Sequence, residues 1–402
     1  MANMEGPKAS SGIQRRGVLK SMAGVVATCV LPPALMGLET AVPAAASINP
    51  KWYGFNLMEY FSTDKDWMNH FPYKNDGIFL EDDFKWISDW GFNWVRLPMD
   101  YRFWTDANDP MKIDEKMVER IDRTIRLGEK YSVHVNICLH RAPGFSVLDG
   151  GDHEQWGIHI TNEKTNLFRD QSAQDAFVHQ WDFFAGRYKG ISSKKVSFNL
   201  VNEPMDISGK EPEAAAKMAY LRVARAAVAA IRGKDPERLI VTDGFPTANS
   251  PIPELYDTKI VQSCHDYWPE QLTCYHCEWL RPASNDFPAP TWPLKDAHGK
   301  VIADRQMIEE HFCPWGDLAS RGIPIHFGEM GCVRHTNPKI VYAWTNDTLD
   351  MVNSLHSGWA LWNFRGASGV LDTNRAGTEY RNWHGHQLDF KMLKLLQSKL
   401  MT

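Results

Sequence analysis

Short apolar runs alternate with amphipathic segments along most of the chain after residue 46. The runs are rich in Val, Ile, Phe and Trp, a composition typical of buried strands. We predict eight strands on this basis: Trp52–Met58, Asn93–Pro98, His134–His140, Val196–Val201, Leu239–Thr242, Ile260–Cys264, Ile325–Gly328 and Trp359–Asn363.

The segments between these strands carry apolar residues at helical spacing. In the segment Asp114–Tyr131 the apolar positions are Met117, Ile121, Ile125 and Leu127, and their recurrence every three or four residues predicts one buried helical face. Further helices are predicted over Gln171–Tyr188, Pro212–Arg232, Arg305–Arg321 and Pro338–Leu355.

Strands that alternate with helices predict a parallel sheet covered by helices. Eight such units within residues 47–402 fit a single α/β domain, a (β/α)8 TIM barrel with long loops after its strands. A doubly wound sheet is the alternative, but Gly54–Met58 supplies no glycine-rich phosphate turn after the first strand. The longest connection, Trp268–Ile302, is rich in Pro and aromatic residues, and its position after a strand predicts that it lies on the catalytic face.

Residues 1–46 differ from the rest of the chain. Arg15 and Arg16 precede an uncharged stretch, Ser21–Leu38, and the small residues Ala44–Ala46 follow it. This layout resembles a twin-arginine export signal, and it predicts cleavage followed by a periplasmic or extracellular location. An uncleaved anchor is the alternative, although Pro32-Pro33 within the stretch disfavours it. We expect no stable membrane insertion after cleavage.

Charge and composition narrow the possible partners. The 44 Lys and Arg residues against 49 Asp and Glu give a net charge of −5, with no basic run, which argues against a nucleic-acid partner. Aromatic residues make up 12% of the chain and include 16 Trp. Because Trp offers a flat apolar face and a donor, this content indicates a ligand that stacks.

The cysteines do not by themselves indicate a metal site. Cys138 and Cys264 lie in apolar runs and are predicted to be buried thiols. Cys274, Cys277 and Cys313 leave three alternatives open: inert thiols, a disulfide or a metal site, since one Cys-x-x-Cys without a second pair is a weak signal.

Two predicted strands end in a carboxyl group. Glu203 follows the apolar run Val196–Val201, and Glu329 follows Ile325–Gly328. Barrel enzymes place their reacting groups at the carboxyl ends of their strands, so the two carboxyls are expected to face each other across the pocket. Cleavage of a glycosidic bond needs such a pair, one carboxyl protonated and the other ionised.

The strand-end residues together resemble glycoside hydrolase family 5, the cellulase-type barrel glycosidases, over nearly all of residues 50–397. Eight positions carry the resemblance: Arg96, His140, Asn202, Glu203, His265, Tyr267, Glu329 and Trp362. It implies that Glu329 is the nucleophile and Glu203 the acid/base of a retaining reaction that proceeds through a glycosyl-enzyme.

The resemblance also implies roles for the six supporting residues. Arg96 and Tyr267 are expected to keep Glu329 ionised, and His265 is expected to tune Glu203. Three residues would contact the sugar: Asn202 at its 2-hydroxyl group, His140 at another hydroxyl group, and Trp362 as the platform under the ring. Two further side chains are predicted to belong to the core, Trp359 by packing and His326 by a hydrogen bond.

The expected substrate is a β-linked oligosaccharide or polysaccharide, with a β-1,4-glucan first. β-Mannan and other β-glucans or β-glucosides are the alternatives within the family. We expect no metal and no cofactor, because Gly54–Met58 lacks the His-x-His pair of metal-dependent barrel hydrolases. A non-catalytic carbohydrate-binding barrel is the remote alternative, which the presence of both carboxyls disfavours.

Overall fold

A computed structural model describes residues 49–61, 81–106, 109–147, 165–206, 211–277, 280 and 283–401. Its central feature is a closed ring of parallel strands, which we number β1 to β8. The strands are β1 (Tyr53–Asn56), β2 (Trp94–Asp100), β3 (His134–Ala142), β4 (Val196–Asn199), β5 (Ile240–Asp243), β6 (Val261–Asp266), β7 (Ile325–Met330) and β8 (Trp359–Leu361).

Each strand pairs in parallel with the next, and β8 pairs with β1 to close the barrel. The register places Phe55 of β1 opposite Val95 of β2 on one side and Leu361 of β8 on the other. The predicted (β/α)8 barrel is therefore confirmed, and all eight predicted strands are present.

Seven helices of the described part surround the barrel and bury their apolar faces against it. They are α1 (Glu81–Asp89), α2 (Glu115–Lys130), α3 (Gln171–Arg187), α4 (Glu213–Lys234), α5 (Arg305–Ser320), α6 (Pro338–Ser354) and α7 (Phe390–Ser398). The second to the sixth were predicted from their spacing. Side-chain caps begin several of them; Asp114, for example, accepts hydrogen bonds from the first backbone N–H groups of α2.

Helices α1 and α7 were not predicted. Each has nine residues, so the apolar period repeats only twice and does not stand out from the flanking sequence. The residues that favour the start of each helix are nevertheless present in the sequence. The first turn of α1 contains Glu81, Asp82 and Asp83, which favour the positive end of the helix dipole. Asp389 caps α7 by accepting a hydrogen bond from the Met392 N–H group.

The long connection after β6 contains short elements of its own. It contains a short helix, Glu270–Thr273, a 3-10 turn, Ala283–Asp286, and a hairpin of Leu294–Lys295 with Val301–Ala303. The smaller elements elsewhere are the 3-10 helices Tyr101–Phe103 and Pro253–Thr258 and the strands Thr105–Asp106, Asp109–Ile113, Phe145–Ser146, Arg381–Trp383 and His386–Leu388.

The thiols behave largely as the sequence indicated. Cys138 and Cys264 are fully buried. Cys274 is also a free, buried thiol, so it forms no disulfide with Cys277 or Cys313. Within the described residues, no helix is both long and apolar enough to span a bilayer. The predicted export signal, residues 1–46, lies outside the described residues and stays a prediction.

Candidate active site

All eight residues singled out from the sequence lie at the carboxyl end of the barrel. Arg96, His140, His265 and Glu329 belong to β2, β3, β6 and β7 respectively. The other four, Asn202, Glu203, Tyr267 and Trp362, lie one to four residues beyond the end of a strand. Since the ends of parallel strands converge in a barrel, residues that are far apart in the chain meet around one pocket.

Glu329 is almost fully buried and accepts hydrogen bonds on both carboxyl oxygens. The Arg96 guanidinium donates to Oε1 and forms an ion pair with the carboxyl group. The Tyr267 hydroxyl donates to Oε2 over 2.8 Å. Two donors on two different oxygens match an ionised carboxylate, which only accepts.

Burial and nearby charges act in opposite directions on this carboxyl. Burial raises the pKa of Glu329, whereas the charges of His265 and Arg96 favour the carboxylate and limit the rise. Burial and the neighbouring Glu329 also raise the pKa of Tyr267 well above its ordinary value. Tyr267 therefore keeps its proton and remains a donor to Glu329.

Arg96 is held from several directions, so its charge is fixed in place. Its Nε donates to Asn199 Oδ1 over 2.8 Å and its Nη1 to Asn56 Oδ1 over 3.1 Å. Its Nη2 donates to Asn202 Oδ1 over 2.8 Å. The Asn202 amide is thereby oriented with Nδ2 as its available donor, and this buried atom has no hydrogen-bond partner among the described residues.

Glu203 has surroundings unlike those of Glu329. Its side chain is half-buried, and its Oε1 lies 2.9 Å from His265 Nδ1. The backbone φ of Glu203 is +45°, in the left-handed region that non-glycine residues seldom occupy. Strain of this kind persists where surrounding contacts hold it, and it is concentrated at functional sites.

The two carboxyl groups are close together. One carboxylate oxygen of Glu203, one of Glu329 and one ring nitrogen of His265 lie within 4.8 Å of one another. His265 Nδ1 is 3.6 Å from Glu329 Oε2. Burial alone would lower the pKa of His265, but Glu329, Asp243 and Glu203 raise it above its ordinary value. The imidazole is therefore electrostatically coupled to both carboxyls.

The rings of Phe61, His140 and Trp362 pack together, and we call these three residues the aromatic wall. The Phe61 ring lies 4.5 Å from the His140 ring and 5.6 Å from Trp362, centroid to centroid. Burial and the charge of Arg96 hold the pKa of His140 well below its ordinary value, so the imidazole is neutral. Its buried Nδ1 has no hydrogen-bond partner among the described residues.

The two tryptophans near the end of the last strand have different environments. Trp359 is 0% exposed and packs edge-on against Tyr53 and Phe92, so its prediction as a core residue is confirmed. Trp362 instead joins the aromatic wall with His140, 5.9 Å away between ring centroids. His326 lies in the core, 3.2 Å from the Trp52 carbonyl oxygen, as predicted.

The comparison with known families agrees with this geometry. The sequence model of the cellulase family, glycosyl hydrolase family 5, matches residues 46–368. The chain belongs to glycoside hydrolase family 5. The roles predicted for Glu203, Glu329 and the other six side chains stay predictions.

Individual relatives of this family 5 glycoside hydrolase differ in their names. Cellodextrinase A of Ruminococcus flavefaciens is 30% identical over 281 residues, covering 66% of this chain and 74% of that protein. Endoglucanase C of Acetivibrio thermocellus is 23% identical over 314 residues, covering 72% and 85%. A solved structure described as a glycoside hydrolase superposes with a TM-score of 0.75 at 35% identity, covering 88% of this chain and 100% of that one.

Sequence reasoning missed three polar residues beneath the pocket of this family 5 enzyme. Asn56, Asn199 and Asp243 are all 0% exposed and lie at the ends of β1, β4 and β5. Asn56 and Asn199 accept from Arg96. The available signal was a polar residue closing an apolar strand, as at Asp243 after Ile240–Thr242, which is the signal that Glu203 and Glu329 gave.

One group of side chains has spacing suited to a cation. Glu203, His265 and Glu329 can each bring one ligand atom within 4.8 Å of the others. Arg96, however, already places a permanent positive charge on Glu329. A metal ion there would meet that charge at close range, so the donor set does not fit a resident metal.

Proposed function

We propose that this family 5 hydrolase cleaves β-1,4-glucan chains with retention of anomeric configuration. The observation that carries the proposal is that two neighbouring carboxyl groups have different hydrogen-bond partners. Glu329 accepts hydrogen bonds from Arg96 and Tyr267, whereas the Glu203 side chain lies next to His265. Retaining enzymes hold their carboxyls ~5–5.5 Å apart, and inverting enzymes ~6.5–9.5 Å apart to admit water; a separation within 4.8 Å between ligand atoms favours the retaining class.

In the first step the Glu329 carboxylate attacks the anomeric carbon while Glu203 delivers a proton to the leaving oxygen. The glycosidic C–O bond breaks, and a bond forms between the sugar and a Glu329 oxygen. Asn202 donates to the 2-hydroxyl group and Trp362 supports the sugar ring. In the second step Glu203, now ionised, removes a proton from water, which displaces Glu329 and restores both carboxyls.

The choice of a β-glucan rests on similarity. The relatives that are similar over most of the chain are named cellodextrinase and endoglucanase. Assays on soluble cellulose derivatives, mixed-linkage glucan, mannan and aryl β-glucosides test the choice. We expect the highest kcat/KM on β-1,4-linked glucan, and a clear preference for mannan would replace this substrate with the family alternative.

Substitution of the two carboxyls tests the mechanism. Glu203→Gln removes the proton donor, so hydrolysis of β-glucan should fall by about 10²–10⁴-fold. The first release of dinitrophenol from an aryl cellobioside should persist, because that leaving group departs without a proton. Glu329→Gln removes the nucleophile and should abolish turnover of both substrates.

The control is the thermal midpoint of each variant, which we expect to stay near that of the wild type because both changes are isosteric. Proton NMR of the first-formed product reads the stereochemistry separately. Equal, mild losses in both variants on the aryl substrate would contradict the assigned roles, and an initial α-anomer from a β-glucan would contradict retention.

A further inference from the structure

Asp243 lies under the catalytic carboxyls at the end of β5 and is 0% exposed. Its Oδ1 accepts a hydrogen bond from Asn199 Nδ2 over 2.9 Å, and its Oδ2 accepts one from the Glu203 backbone N–H over 3.0 Å. The same Oδ2 lies 3.6 Å from Arg96 Nη2 and 3.3 Å from His265 Nε2. The Asp243 carboxyl group thus lies next to Glu203 and His265 and also next to Arg96, the partner of Glu329.

The neighbours of Asp243 identify its protonation state. The backbone N–H of Glu203 and the guanidinium of Arg96 can only donate. The Asn199 amide presents its NH₂ group to Asp243 because its oxygen already accepts from Arg96. A carboxyl group surrounded by donors is an ionised acceptor. The ring nitrogen of His265 that faces it, Nε2, lies 3.3 Å away and forms no hydrogen bond. A lone pair on Nε2 would be repelled by the carboxylate at that distance, so Nε2 carries a hydrogen.

This arrangement fixes the other ring nitrogen of His265. With Nε2 directed at Asp243, Nδ1 faces Glu203 Oε1 at 2.9 Å. A hydrogen bond at that distance needs one proton between the two atoms, whether it is written on the carboxyl or on the ring. If both His265 Nδ1 and Glu203 Oε1 carried a proton, two hydrogens would face each other. If neither did, two lone pairs would face each other.

We propose that Asp243 is a positioning residue for the acid/base: its negative charge, 3.3 Å from His265 Nε2, keeps a hydrogen on that nitrogen so that Nδ1 and the Glu203 carboxyl share the single proton that the leaving oxygen receives. This inference rests on the proposed function. It also accounts for the backbone of Glu203, since the Glu203 N–H bond to Asp243 holds the residue at its φ of +45°.

The proton balance of the first step follows. As the C–O bond breaks, the leaving oxygen takes the shared proton through Glu203, and the negative charge lost by Glu329 on bonding to the sugar reappears on the Glu203–His265 pair. Asp243 keeps its charge and His265 keeps its Nε2 proton throughout. Water returns the shared proton in the second step.

Ionisable groups from several elements bear on this shared proton, and they include Glu270 of the short helix after β6, which is electrostatically coupled to Glu203. Asp243, Glu203 and Glu329 raise the pKa of His265, whereas burial opposes the rise. Arg96 and Tyr267 act through Glu329, and His140 is also electrostatically coupled to His265. Because Asp243 is an anion next to the pair, its removal should let the shared proton leave at lower pH.

The test is Asp243→Asn, which keeps the shape of the side chain and removes its charge. We expect kcat/KM on β-glucan to fall by at least about tenfold, and on dinitrophenyl cellobioside by less than about threefold, since only the first needs the proton. The alkaline limb of the pH profile on β-glucan should move to lower pH by about one unit. A merely structural role would lower both activities equally and leave the limb in place.

Asp389→Asn is the matched control. Asp389 is equally buried and, like Asp243, accepts a hydrogen bond from a backbone N–H group, that of Met392 over 2.9 Å. It caps α7 and also accepts from the Tyr342 hydroxyl over 3.0 Å, and no hydrogen bond of the described residues joins it to Glu203 or His265. Its substitution should leave both the leaving-group dependence and the alkaline limb unchanged.

Nitrogen-15 NMR of the histidine rings tests the wild-type enzyme directly, with the His265 signals identified by their loss in His265→Asn. Nε2 should stay protonated across the active pH range, and only Nδ1 should change with the alkaline limb. An unprotonated Nε2, or an unmoved limb in folded Asp243→Asn, overturns the role of Asp243. If Glu203→Gln itself shows no leaving-group dependence, the proposed function fails instead.

Discussion

At the scale of single residues, Trp362 is the side chain through which the aromatic wall would act on a sugar. Its ring packs with His140 and Phe61, so it is held before any substrate arrives. Apolar C–H faces of a pyranose stack on such a surface. Contacts between two aromatic rings, which bury a comparable face, are worth ~0.5–1.5 kcal/mol beyond burial.

We therefore expect Trp362→Ala to lower kcat/KM by more than about tenfold, because stacking and the position of the distorted sugar are lost together. Steady-state kinetics below the thermal transition measure this loss. Trp359→Ala is the contrast: Trp359 is fully buried in the core, so its removal should lower stability by about 3–5 kcal/mol. An unaffected Trp362→Ala enzyme would remove the platform role.

The sequence located Glu203 and Glu329 because each follows an apolar run, and it located the other six pocket residues through the resemblance to the family. Arg96, for example, lies inside β2 and closes no strand. The sequence could not show which polar residues would be linked to which. The bonds of Arg96 to Asn56 and Asn199 join residues 40 and 103 positions apart, and only the register of the closed barrel brings them together. Asp243 was missed for the same reason: its importance lies in four contacts, none of them local in sequence.

At the scale of elements, the contact between β1 and β2 is close because Gly54 has no side chain. A Cβ atom at this position would lie 1.7 Å from the Trp94 carbonyl oxygen, which belongs to the backbone of β2 and cannot rotate away. Gly186 near the end of α3 is the opposite case, since nothing lies within 4 Å of its Cβ position.

Gly54→Ala should destabilise the fold by at least about 1–3 kcal/mol, because the two strands must separate to admit the methyl group. Gly186→Ala should be neutral or stabilise it by up to about 1 kcal/mol through helix propensity. Thermal or urea unfolding measures both variants. Equal stabilities for the two would show that β1 and β2 can adjust without cost.

Elements were predictable to the extent that their patterns repeat. Helices of 16 to 22 residues show several turns of apolar spacing and were found. Helices α1 and α7, with nine residues each, were not. The strands were found because all eight are buried along most of their length, which gives continuous apolar runs.

At the scale of the whole molecule, the end of the barrel opposite the pocket is filled by a cluster of rings. Trp52 lies 4.7 Å from His134 and 5.4 Å from His326 between ring centroids, and Trp94 lies 4.7 Å from His326. The closure itself was predictable from the count of strands. The burial of His326 was predicted as well, but its ring contacts with Trp52 and Trp94 were not, because they depend on how the closed barrel brings separate strands together.

Because His134 and His326 are buried at this end of the barrel, we predict that the folded protein is less stable in acid. Burial lowers the pKa of His134 to about 4 and that of His326 to about 3, whereas an unfolded chain has a histidine pKa of about 6.5. Below pH ~6.5 the unfolded state binds the extra proton and the folded state does not, so stability falls as the pH drops toward the folded pKa. For His134 the loss at pH ~4.5 is on the order of 2–3 kcal/mol.

His134→Asn should remove this share of the acid sensitivity. We expect the variant to be less stable than the wild type at pH 7, because His134 contacts Lys194 O and Ser197 Oγ there, but to lose less stability between pH 7 and 4.5. His298→Asn, at an exposed position of the hairpin after β6, should follow the wild-type curve. Urea unfolding at both pH values gives the comparison. Parallel curves for wild type and His134→Asn would mean that His134 takes up its proton without unfolding, and the acid sensitivity would then have to arise from other groups.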